Sequence, residues 1–176
     1  MAMTATVDRE RPAFDVFVTG LKNTHGLEKQ GLSILDNQIE RLERYPELHA
    51  ALRRHRDETQ AQAERLEALM SQYGESASSF KEGVMGLVGQ IPTLTHAAAE
   101  DEVLKNLFAG YGFENYEVAS YDSLLVMAEA AGHSDTSPLQ TSLREEEEMV
   151  RTLRPMVSDV TRKYVSLETA GANASR

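Results

Sequence analysis

The sequence predicts an all-α fold, a four-helix bundle of two antiparallel hairpins, and three observations carry that expectation. Apolar residues recur in alternating three- and four-residue steps over long stretches, the spacing that gathers side chains on one face of a helix. No segment sustains the period-two alternation of a half-buried strand, and the β-branched residues are scattered. Turn signals at Tyr45-Pro46 and from Gly132 to Pro138 flank one long middle stretch rich in Gly and Ser.

The first helix follows Phe14, Phe17, Leu21, Thr24, Glu28, Gly31, Leu35 and Leu42, with Leu32 and Ile39 beside that line. Tyr45-Pro46 ends it, because the residue before a proline is pushed out of the α region. A second helix runs from Pro46 through Leu48, Leu52, His55, Gln62, Leu66 and Leu69 to Tyr73, and Gly74 is its expected stop. From Glu75 to Thr95 glycines, serines and Pro92 interrupt a weakly amphipathic stretch, read as a crossover carrying one short helix. The third helix spans roughly Ala98 to Ala131 with Leu104, Leu107, Tyr111, Glu114, Val118, Tyr121, Leu125 and Ala128 on one face, and Gly132 stops it. A fourth carries Leu139, Leu143, Glu146, Val150, Leu153, Val157, Val160 and Tyr164. Two short turns and one long middle connection give the connectivity of a ferritin-like bundle. The expected layout is a flexible segment over 1–12, one bundle domain over 13–167 and a flexible tail over 168–176.

At 176 residues the chain suits one domain with a real core. There is no cysteine, so thiolate metal sites, thiol catalysis and disulfides are excluded, and any metal must take oxygen or imidazole ligands. Lys and Arg number 18 against 28 Asp and Glu, for a formal charge of −10. That balance repels a phosphate backbone, so no nucleic-acid partner is expected. Met1 to Pro12 has no apolar signal core, and no apolar run reaches membrane-spanning length. The expectation is a cytoplasmic protein without a membrane partner.

The chemistry is in the glutamates. Residues equidistant from the turn of an antiparallel hairpin lie at about the same height, since each rises about 1.5 Å. Glu28 and Glu58 flank the Tyr45-Pro46 turn about evenly, and Glu117 and Glu146 flank Gly132 at a similar spacing. Four inward carboxylates at one level repel one another and lose hydration, so they call for protons, bases or cations. No Lys or Arg shares their seam, and divalent ions satisfy them best. One turn away stand His25, His55, Gln62 and Glu114. His25 and His55 are read either as ligands or as outer partners that orient a carboxylate. Glu145, Glu147 and Glu148 are read as a solvated face, since a run of four acids cannot all point inward. His96 and His133 are read as loop or cap residues. Tyr111, Tyr116 and Tyr121 are read first as core aromatics, with Tyr121 kept beside the site as an extra ligand or outer partner.

The segments LKNTHGLEKQ (Leu21 to Gln30), HRDETQAQAERLE (His55 to Glu67), FENYEVASY (Phe113 to Tyr121) and LQTSLREEEE (Leu139 to Glu148) stand in that order. With the crossover between the second and third, the chain from Phe14 to Tyr164 resembles the YciE/YciF-like family of ferritin-like proteins, formerly a domain of unknown function. The resemblance implies a homodimeric bundle with a carboxylate-rich dimetal site, linked to stress responses. By position it implies Glu28, Glu58, Glu117 and Glu146 as ligands, with Gln62 and Glu114 as additional ones. The chain departs from the common pattern at His25, often aromatic, and at Val150, often acidic.

Oxygen-rich ligation with little imidazole suits hard ions, so the expected cofactors are two Fe or Mn ions. Two functions follow as expectations. One is a dimetal stress protein that oxidises ferrous iron or consumes peroxide, with Glu58 and Glu146 bridging the ions. The other is a non-catalytic helical bundle with a partial site that acts by binding a partner, favoured by Gln62 and Val150. A third, an iron-storing cage, is weaker because no fifth helix is evident.

Overall fold

The computed structural model describes residues 12–75 and 101–174. Four helices account for nearly all of them: α1 Pro12–Ile39, α2 Pro46–Gln72, α3 Glu102–Ala130 and α4 Ser137–Thr169. No strand occurs among the described residues. The expected flexible segment before Pro12 and the crossover's short helix, within residues 76–100, lie outside the described residues, as does His96.

The helix ends obey local chemistry. Tyr45 leaves the helical region at φ −124°, ψ 63°, and Pro46 opens α2, where its missing N–H costs nothing. α1 stops at Ile39, earlier than the seam through Leu42 suggests. Leu42 and Tyr45 are still buried, so the apolar pattern is met by the loop that wraps back over the bundle end. Gly132, at φ 75°, ends α3: its N–H reaches Glu129 O and the N–H of His133 reaches Ala128 O. That pattern closes a helix on a left-handed residue, which glycine adopts without strain; Gly74 ends α2 in the same way. α4 continues through Pro155 as one helix. The tail, expected to be flexible, includes a buried Ala174 whose carbonyl accepts the Tyr45 hydroxyl at 2.6 Å.

Each helix packs chiefly on two neighbours, in the cyclic order α1, α2, α4, α3. Asp36 meets Arg56 and His25 meets Glu67, so α1 and α2 run antiparallel. A side chain at Gly20 would meet Met127 and Leu124, and one at Gly31 would meet Phe113, so α1 and α3 are antiparallel too. α2 and α3 therefore point the same way across the diagonal. The end of α2 and the start of α3 thus lie at opposite ends of the bundle, as in a crossover topology.

The core divides in two. One cluster joins Phe17, Leu21, Leu66, Leu69, Tyr121, Leu124 and Leu139; the other joins Leu35, Leu48, Leu52, Leu107, Met149 and Leu153. Between these apolar plugs each helix buries polar residues: Glu28 on α1, His55, Thr59 and Gln62 on α2, Glu114 and Glu117 on α3, Glu146 on α4. α3 is turned slightly from its expected face, with Leu124 enclosed and Leu125 only partly so. Arg41 and the buried Glu102 form a two-bond ion pair that ties the first turn to the start of α3.

Candidate metal centre

Between the two plugs, His55, Glu114, Glu117 and Glu146 each offer a ligand atom within 4.8 Å of one another, and all four are buried. Their positions follow from helical spacing. Glu114 and Glu117 stand three apart on α3, so both face inward, and Glu146 lies across from them on the antiparallel α4. His55 comes from α2 on the far diagonal, with Nε2 2.8 Å from Glu114 Oε2 and 3.6 Å from Glu146 Oε2. Its other nitrogen, Nδ1, sits 3.2 Å from Glu58.

Glu28 borders this group, its charge acting on both Glu117 and Glu146, and Gln62 lies about two turns after His55 on α2; neither has any solvent exposure. The Tyr121 hydroxyl donates to Glu28 Oε1 at 2.5 Å. A side chain at Gly31 would begin 3.3 Å from the Phe113 ring, so glycine there lets α1 lie close against α3 beside Glu117.

Of the residues expected to act here, the structure gathers Glu114, Glu117, Glu146 and His55, with Glu28 and Tyr121 alongside and Gln62 buried on the same face of α2 as His55. It does not bring Glu58 or His25 into the group. The Glu58 side chain is 45% exposed and touches the site only through His55. Its place on the buried seam belongs to Thr59, whose hydroxyl donates to His55 O at 2.9 Å. The α1 and α2 ion pairs also mark a register that puts Glu28 level with Glu64, near Gln62, and not with Glu58. His25 is buried but turned away, with Nε2 2.7 Å from Glu67. His133, read as a loop or cap residue, does follow Gly132 in the turn, yet its ring is buried and accepts or donates at 2.5 Å to Tyr73. Glu145, read as solvated, is instead held by two bonds from Arg65.

The electrostatics are those of crowded buried anions. Burial pushes the Glu28 carboxyl up to about 8, against the opposing effects of the Tyr121 hydrogen bond and the nearby His55. Burial, then the charges of Glu28, Glu146 and Glu114, hold Glu117 well above the ordinary carboxylate range. Burial raises Glu146 well above it as well, with His55 pulling the other way. For His55, burial favours the neutral ring, but Glu114, Glu58 and Glu146 outweigh it and its pKa stands well above the usual value. Tyr121 is raised by burial and by the facing Glu28.

The fit to cations is tested by what lacks a partner. Glu28 Oε2, Gln62 Oε1, Glu114 Oε2, Glu117 Oε1 and both oxygens of Glu146 are buried without a hydrogen bond. Glu114 Oε2 is among them although His55 Nε2 is near, so that contact is an electrostatic one. Leaving so many buried acceptors unpaired costs about 1–3 kcal/mol each, more for charged groups. All are hard oxygen donors, and one imidazole completes the set, so the residues suit a hard divalent ion.

Comparison with known proteins agrees with this architecture. Residues 12–166 match the family model described as Domain of unknown function (DUF892). The protein YciF of Escherichia coli K12 is 30% identical over 141 residues, spanning 76% of this chain and 82% of its own. A crystal structure of a Xanthomonas campestris pv. campestris protein superposes with a TM-score of 0.76 at 25% identity, covering 90% of this chain and 99% of its own. The crystal structure of the E. coli stress protein YciF gives a TM-score of 0.67 at 23% identity, over 85% of this chain and 96% of its own. No described helix is long and apolar enough to cross a membrane. With a match running from the first turn of α1 nearly to the end of α4, the chain belongs to the DUF892 family, of which YciF is a relative.

Proposed function

We propose that this protein is a dimetal stress protein whose buried centre oxidises ferrous iron or consumes peroxide. The observation that carries the reading is the group His55, Glu114, Glu117 and Glu146, enclosed between two apolar plugs with most of its oxygens unpaired. In this reading those four residues hold one ion, and Glu28 and Gln62 complete the place for a second beside Glu117 and Glu146. Two Fe or Mn ions bound there supply one-electron redox chemistry. Everything else is done by the chain. Glu58 and the Nδ1 atom of His55 fix the ring so that Nε2 faces the carboxylates, the usual device for orienting a ligating histidine. Tyr121 fixes Glu28, and the two plugs limit water. The stress connection comes from the relative YciF, described as a stress protein. Association as a homodimer belongs to the same reading, and a monomeric mass by light scattering removes it.

Anaerobic reconstitution with ferrous iron tests the proposal. Roughly two ions per chain are expected for a dinuclear carboxylate site, with oxidation on exposure to air or peroxide that is lost in Glu114→Ala. No bound iron contradicts the reading. Bound iron with identical slow oxidation in both proteins favours the non-catalytic bundle instead.

A further inference from the structure

We propose that Arg65 and Glu145 are positioning residues of this centre: their ion pair locks the Gln62 amide so that its carbonyl oxygen, and not its NH2 group, is presented to a cation. The inference rests on the dimetal reading above. Arg65, on α2, grips Glu145, on α4, through NH1 at 2.6 Å to Oε2 and NH2 at 2.8 Å to Oε1. Its NH1 also donates to Ser142 Oγ at 3.0 Å. Gln62 Nε2 donates to the same Glu145 Oε2 at 3.2 Å.

A carboxylate only accepts hydrogen bonds, so the amide end that faces it must be the nitrogen. Turning the amide over would set two oxygens against each other and break a charge-assisted bond. With the nitrogen committed to Glu145, Gln62 Oε1 is enclosed and unpaired. The neighbouring Glu28 repeats the arrangement: Tyr121 holds Oε1 and leaves Oε2 unpaired. Both side chains thus have one end tethered and one lone-pair donor buried. A free amide, by contrast, can bring its NH2 group toward the centre and repel a cation. The amide oxygen adds a hard donor without adding another negative charge to an already crowded site. An isolated ion pair as open to water as this one, with side chains 27% and 23% exposed, stabilises a fold little. Its three-way contact with Gln62 gives it a use that stability alone does not.

The test is equilibrium dialysis of the full chain with Mn²⁺, alongside circular dichroism of the metal-free proteins to establish that each variant folds. Glu145→Gln removes the constraint on the amide, and the weaker of the two Mn²⁺ sites is expected to lose about 10–100-fold in affinity, as for other partners of ligands. The double exchange Gln62→Glu with Glu145→Gln reverses donor and acceptor, again leaves an oxygen facing inward, and is expected to regain most of the loss. Arg65→Lys keeps the charge but not the fork; a partial loss is expected, and this variant carries the comparison should Glu145→Gln fail to fold. Wild-type affinity in Glu145→Gln, or a double exchange no better than the single, overturns the positioning role while the dimetal reading stands. A wild-type chain that binds no Mn²⁺ overturns both.

Discussion

At the scale of single residues, the centre is defined by which carboxylates have something to bind and which do not. Glu146 has no solvent exposure, and neither oxygen has a hydrogen-bond partner, so in the metal-free chain it is a burden. Replacing it by an apolar residue of similar size, Glu146→Leu, removes both unpaired oxygens and is expected to stabilise the metal-free protein at pH 8 by about 1–3 kcal/mol, the scale of an unpaired buried group. The same change should weaken Mn²⁺ binding at least about 10-fold; urea denaturation and dialysis measure the two effects, and loss of stability in the metal-free form contradicts the account. Five of the residues in or beside the centre were legible in the sequence because they fall on three- and four-residue seams: Glu28, His55, Gln62, Glu114 and Glu146; Glu117 was found through its distance from the Gly132 turn. Glu58 was chosen for its distance from the turn, and height does not decide which way a side chain faces. Continuing the steps Leu52, His55, then Gln62, Leu66 and Leu69 passes through Thr59, and that signal was available. The Arg65–Glu145 pair was not, since a charge beside a seam reads as solvated until the partner helix is in place.

At the scale of helices, the apolar plugs hold the centre. Leu153 is nearly fully enclosed in the plug with Leu52, Leu107 and Met149. Leu153→Ala is therefore expected to cost 2–5 kcal/mol, roughly the range for large-to-small core changes, with chemical denaturation as the readout; a change within about 0.5 kcal/mol, typical of surface positions, contradicts the assignment. Gly132 fixes how α3 turns into α4 at φ 75°. A Gly132→Ala change places a side chain in the left-handed region, at about 1 kcal/mol, and the same measurement detects it. Glycine and proline made the ends of α2 and α3 readable, whereas the end of α1 was hidden because Leu42 and Tyr45 bury from a loop and so continue the helical pattern. The register between α1 and α2 shows in pairs such as Asp36 with Arg56, which no single-helix periodicity reveals.

At the scale of the whole molecule, the helices converge their acids on one depth, and in the metal-free bundle burial favours the protonated forms of Glu28, Glu117 and Glu146. The Glu28 carboxyl goes from 4.5 to about 8 on folding, and Glu117 and Glu146 move in the same direction. Between those two pH values the folded chain binds protons that the unfolded chain has released, so unfolding free energy is greatest below the lower value and falls as pH rises toward the upper one. Ligands bind ions in their deprotonated form, so ion binding strengthens as pH rises. Thermal unfolding should thus show Tm of the metal-free protein falling from pH 5 to pH 8 while the increment given by Mn²⁺ grows; a flat increment argues against ions at these carboxylates. The most direct measurement is an anomalous-difference map from crystals grown with Mn²⁺. The account predicts density in contact with His55, Glu114, Glu117 and Glu146, between the two apolar plugs. Density confined to the outer acids such as Glu58, Glu147 and Glu148, with the buried carboxylates metal-free, would contradict it.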